Sequence, residues 1–154
     1  LNVSKKPILL IGVGNVFRGD DAIGPWVASR IAEREPANID VLVHHGEGMD
    51  LMSRWEGYKL VIIIDAAKTG DGSPGTLREI DAIAQPVPTE MLYYSSHAFG
   101  VAEAIETARD LGTLPPALTL YAIEGNVFTM GEQPAQAVRQ AGEALAERLL
   151  VALN

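Results

Sequence analysis

The chain has 154 residues, 47% hydrophobic and 21% charged, with a formal charge of −8 and no cysteine. That size and balance suit a single domain over residues 1–154. The lack of cysteine excludes disulfides, thiolate metal sites and cysteine nucleophiles, and the acidic surplus argues against nucleic acid or an anionic membrane surface as a partner. No apolar run reaches transmembrane length and residues 1–7 lack the apolar core of a signal peptide, so the cytoplasm is the expected compartment.

Ile8-Leu9-Leu10-Ile11-Gly12-Val13 is a continuous apolar run ending in glycine, the pattern of a strand buried on both faces. Residues 20–34 read as a helix, with Ile23, Val27 and Ile31 on one face and Pro25 in the first turn. Residues 39–43 form a second strand and 49–55 a short helix. Residues 60–64, Leu-Val-Ile-Ile-Ile, make the clearest strand in the chain. Residues 69–75 are a loop by composition, 76–80 a short edge strand, and 85–96 irregular, with two prolines. A helix over 98–111, a late strand over 117–123 and a closing helix over 134–150, opened by Pro134, complete the order. Alternating strands and helices with both-face-buried strands predict an α/β fold: three layers, a twisted and mostly parallel sheet with helices on both faces.

In such a sheet, ligands bind beyond the C-terminal ends of the strands. Two acidic features fall there. One is the segment Gly12-Val13-Gly14-Asn15-Val16-Phe17-Arg18-Gly19-Asp20-Asp21 after the first strand; the other is Asp65, directly after 60–64. Asp65 can be functional or can cap a turn. Of the acidic pair, one carboxylate caps the helix while the other faces a ligand: Asp20 is expected to accept from backbone N–H groups at the start of the first helix. A dinucleotide fingerprint fails because Phe17 stands where the third glycine belongs, and no Walker lysine follows. His97 precedes a predicted helix. A lone histidine is more often structural, but with two carboxylates it can complete an open site for a divalent transition metal. His44 and His45, beside Glu47, are a competing cluster that reads better as a solvated strand end. Gly-x-Ser-x-Gly and His-Glu-x-x-His are both absent.

In order along the chain, these segments resemble the hydrogenase maturation protease family. The similarity runs from Ile8 to about Leu150 and is most specific in Leu10-Ile11-Gly12-Val13-Gly14-Asn15 and Gly19-Asp20-Asp21-Ala22-Ile23-Gly24. Leu60 to Ala66 resembles the family's strand ending in aspartate, and Ser96-His97-Ala98-Phe99-Gly100 its histidine-x-x-glycine segment. The resemblance implies an endopeptidase that removes the C-terminal extension of a nickel-iron hydrogenase large-subunit precursor after nickel insertion. By position, Asp21, Asp65 and His97 are the implied catalytic and metal-binding set, with Asn15 and Asp20 supporting it. The implied metal is nickel supplied by the substrate; another divalent ion can take its place in vitro. Aspartic-type and metallo-type cleavage both stay open. Ala22 stands where many members have glycine, and His44-His45-Gly46-Glu47-Gly48 where many have an Asp-Gly-Gly-Thr-like stretch. The latter looks more like proteases that serve cytoplasmic, cofactor-reducing hydrogenases. The alternative is a non-catalytic, nickel-dependent module that checks the metal centre of such a precursor; the full Asp/Asp/His set favours the protease.

Overall fold

The computed structural model describes residues 5–93 and 98–153. Five strands, β1 (Ile8–Val13), β2 (Ile39–His44), β3 (Leu60–Ala67), β4 (Leu77–Asp81) and β5 (Ala117–Glu124), form one sheet in the order β2-β1-β3-β5-β4. All neighbours are parallel except β4, which runs antiparallel to β5 at the edge. The four α-helices are α1 (Ile23–Glu33), α2 (Gly48–Arg54), α3 (Val101–Leu111) and α4 (Gln136–Leu153). The strand pleat sorts the core into two halves. Leu9, Ile11, Val61 and Ile63 meet Leu51 of α2 and Ile105 of α3 on one face. Leu10, Ile62 and Ile64 meet Ile23 and Val27 of α1 and Leu145 of α4 on the other. The three-layer expectation is met, because strands that are apolar at every position need cover on both sides. No helix among the described residues is long and apolar enough to cross a membrane.

The departures from expectation have local causes. Residues 20–34 are not one α-helix: a 3₁₀ turn, Gly19–Ala22, precedes α1. Pro25 has no N–H, so the α-type bond back to the carbonyl of residue 21 cannot form. Strand β3 continues through Asp65 to Ala67, so Asp65 lies within the strand, in register with Ala122, rather than after it. A buried carboxylate leaves the backbone free to pair. Helix α3 starts at Val101 because Gly100 is extended and its N–H donates to Glu103 Oε1 at 3.0 Å. Helix α4 starts at Gln136, two residues after Pro134, since the Ala135 N–H is taken by the Asp20 carboxylate.

The chain leaves β1 toward β2 on one side while β3 lies on the other, so the β1–β3 seam is the topological switch point of the sheet. Gly24 lets α1 sit directly on that seam. A Cβ there would lie 2.3 Å from the Val13 carbonyl oxygen and 2.4 Å from that of Ile64. Gly12 is its counterpart on β1, where a Cβ would lie 2.2 Å from the Gly24 oxygen. This close approach brings the 3₁₀ turn and its two aspartates onto the C-terminal end of the central strands.

Candidate active site

Asp21 and Asp65 meet at the switch point. Both are almost fully buried, 3% and 4% exposed, and both line one cavity of about 60 Å³, room for a few water-sized groups. Asp21 Oδ2 accepts from the Asn15 N–H at 2.9 Å, and Asp65 Oδ1 from the Ala66 N–H at 2.8 Å. Burial pushes the Asp21 carboxyl up to about 6, against the pull of the Asn15 N–H and the Arg18 charge. Asp65 is held well above the usual carboxylate range, first by burial and then by the charge of Asp21. Asp65 therefore feels the charge of Asp21. Among the described residues, no salt bridge reaches either one.

His97, the third predicted member, lies outside the described residues. Tyr93 and Ala98, the described residues before and after it, both line the cavity. Among the described residues no group of three or more His, Asp or Glu is arranged to hold a metal ion.

Asn15 supports the site in two ways. Its N–H binds Asp21, and its own Oδ1 accepts from the Phe17 N–H at 2.9 Å, fixing the turn. Asp20 is structural, but not as expected. It is fully buried and accepts from the N–H groups of Asn126 (2.7 Å), Val127 (2.9 Å) and Ala135 (2.8 Å), not from its own helix. Its own N–H donates to the Val127 carbonyl at 2.7 Å. Asp20 thus clips the loop carrying Asp21 to the loop between β5 and α4. The glycines after β1 serve the chain itself: Gly14, at φ +151°, has no room for a Cβ, which would lie 1.9 Å from the Asp21 carbonyl oxygen.

The His44–Glu47 segment corrects the sequence reading. His44 is 5% exposed, not a solvated strand end. Its ring bonds to Asp50 at 2.6 Å and stacks on His45, with centroids 4.7 Å apart. His45 and Gly46 line the cavity with Asp21 and Asp65. The Glu47 carboxylate caps α2, accepting from the N–H groups of Met49 (3.0 Å) and Asp50 (2.8 Å). Sequence reasoning also missed Tyr93 and Glu103, two further lining residues. Glu103 carried a signal, a glutamate three residues after a helix-opening glycine; Tyr93 carried none. A fourth buried acid, Glu124, ends β5 and binds Thr69, Gly70 and Arg78, fastening the loop after β3.

Residues 26–152 match the family described as hydrogenase maturation protease, a span that contains Asp65 and begins after Asp21. A Methanocaldococcus jannaschii protein carrying the hydrogenase maturation protease name is 31% identical over 155 residues, covering 93% of this chain and 96% of the relative. The hydrogenase 2 maturation protease of Escherichia coli is 29% identical over 119 residues, covering 75% of this chain and 71% of the relative. Among solved structures, the [NiFe] hydrogenase maturation protease HycI from Thermococcus kodakarensis superposes with a TM-score of 0.74 at 25% identity, over 97% of this chain and 93% of that one.

Proposed function

The chain belongs to the hydrogenase maturation protease family, and from that premise we propose that it is the endopeptidase that removes the C-terminal extension of a nickel-iron hydrogenase large-subunit precursor after nickel insertion. The observation that carries this reading is the pairing of Asp21 and Asp65 on one cavity at the switch point. Two anions buried together are costly, and a divalent cation removes that cost. The donor set therefore fits a metal. His97 is assigned as the third donor, supported by the cavity-lining positions of Tyr93 and Ala98.

In this reading the nickel belongs to the substrate, and Asp21, Asp65 and His97 fill its open positions when the precursor docks. Carboxylate and imidazole without thiolate make a set of modest affinity, which suits a metal carried in by the client. Nickel, when bound, supplies Lewis-acid polarisation. The two carboxylates supply proton transfer. Burial raises both carboxyls, and the charge of Asp21 raises Asp65 further, so the pair can hold a proton until a cation arrives. One carboxylate of the pair takes a proton from the attacking water as the water oxygen bonds to the scissile carbonyl carbon, and that proton passes to the amide nitrogen as the C–N bond breaks.

The test is incubation of nickel-loaded and nickel-free precursor with the wild type and with Asp21→Asn, read by intact mass of the large subunit. Loss of the tail is expected only from loaded precursor with the wild type. Equal trimming of the nickel-free precursor would remove nickel from the mechanism, and full activity of the variant would remove Asp21. Nickel-dependent binding without any change of mass would favour the checkpoint module.

A further inference from the structure

His45 and Gly46 line the cavity of Asp21 and Asp65, and the side chain of His44 holds their backbone. The Gly46 N–H donates to His44 Nδ1 at 2.9 Å. A ring nitrogen that accepts carries no proton, so the proton of a neutral His44 sits on Nε2, which meets Asp50 Oδ2 at 2.6 Å. Asp50 is in turn held by Arg54 Nε at 3.3 Å, one helical turn along α2. Burial, the largest influence on His44, favours its neutral form. The wall has little slack elsewhere. Gly46 sits at φ +100°, the Gly48 N–H donates to the Phe99 carbonyl at 2.8 Å, and a Cβ on Gly48 would lie 2.3 Å from the Phe99 ring. The ring of His44 also stacks on His45, which lines the cavity.

We infer that His44, as its Nε2–H tautomer, is a positioning residue for the proteolytic reaction, setting the His45–Gly46 backbone that walls the cavity of Asp21 and Asp65. The inference rests on the endopeptidase reading and adds to it. His44 does not touch the reacting atoms; it acts through the Gly46 N–H. A misplacement of about 1 Å near reacting atoms costs on the order of 100-fold in rate, so the effect falls on kcat.

Two substitutions separate the two ring nitrogens. In His44→Asn the amide oxygen stands near the place of Nδ1 and keeps an acceptor for Gly46. In His44→Gln the longer amide reaches toward Asp50 and leaves the Gly46 N–H unpaired. On nickel-loaded precursor, His44→Asn is expected within about 5-fold of the wild-type kcat. His44→Gln is expected to lose about 100-fold in kcat with KM nearly unchanged. Two readouts need no client: the ¹⁵N shifts of the His44 ring, expected to show a bare Nδ1 and a protonated Nε2 at neutral pH, and hydrogen exchange of the Gly46 amide, expected slow in the wild type and His44→Asn and fast in His44→Gln. Equal losses in both variants, unchanged kcat in His44→Gln, or a protonated Nδ1 would each overturn the inference. A wild-type protein that trims no precursor would instead remove the endopeptidase reading, while the ring shifts and Gly46 exchange still decide whether His44 holds the wall.

Discussion

Asp21→Asn should make the metal-free protein more stable while it removes activity. Burial raises the Asp21 carboxyl from 3.8 to about 6. At 1.36 kcal/mol per pKa unit, that is about 3 kcal/mol of native-state penalty once the group is ionised. The sign follows from proton binding. Between pH 4 and 6 the native state holds this proton and the unfolded chain does not, so native stability falls as pH rises through that window and stays low above it. Asparagine has nearly the same shape, can still accept from the Asn15 N–H, and carries no charge. It also removes the second influence that raises Asp65, the charge of its neighbour. At pH 7.5, in chelator, the variant should melt about 6–12 °C above the wild type, taking 2–4 °C per kcal/mol for a chain of this size. Thermal melts by circular dichroism from pH 4 to 8 give the curve. The gap should close toward pH 4, where both proteins carry a neutral group at this position. A divalent ion such as Ni²⁺ should raise the melting temperature of the wild type more than that of the variant. A variant that melts at or below the wild type at pH 7.5, or a gap that does not shrink on acidification, would refute the reasoning.

Asp20→Ala should destabilise far more than loss of a helix cap, by about 3–5 kcal/mol, because three buried N–H groups lose a charged acceptor; urea denaturation measures it, and a loss below about 1 kcal/mol would contradict the clip. Gly24→Ala should cost at least about 1–3 kcal/mol, since its Cβ meets two carbonyl oxygens inside 2.5 Å and α1 must lift from the seam; unchanged stability by the same assay would show that the contact yields easily. For Glu124, burial alone would raise its carboxyl, but the bonds from Thr69, Arg78 and Gly70 outweigh it and hold it below 4.5. Its stabilisation is therefore present above the unfolded value and lost as pH falls through the folded one. Glu124→Gln should lower the melting temperature at pH 7 and lower it less near pH 3; an equal deficit at both would remove the charge from the account.

The fold was legible because its signals are local and redundant. The run Ile8–Val13 and the run Leu60–Ile64 have no polar face, so each demands cover on both sides, and the helices between them show one apolar stripe each. The acidic pair was also legible, because neither capping nor solvation accounts for two adjacent aspartates at the end of such a strand. The roles within the pair were legible only in part. Asp20 was placed as structural, but its partners lie more than a hundred residues away, and no local pattern encodes them. His44 misled for the same reason: a histidine at a strand end looks solvated until Asp50, one turn into the next helix, and the Gly46 N–H are seen to enclose it. The end of β3 was misplaced because a charge usually stops a buried strand, whereas here the Asp65 backbone pairs in register with Ala122 and its side chain lines the cavity.

The Asp20 clip also bears on when the protein becomes competent during synthesis. Residue 20 emerges early, but its three donors lie among residues 126–135, up to 115 positions later. At about 5–20 residues per second, that gap is on the order of 10 s of translation. Until it closes, the loop that carries Asp21 has no anchor on the far side of the sheet. A nascent chain can build β1, α1 and β3 and still lack a set geometry for the first carboxylate. The position of the first carboxylate is thus set only once residues past 135 are in place, rather than gradually with chain length.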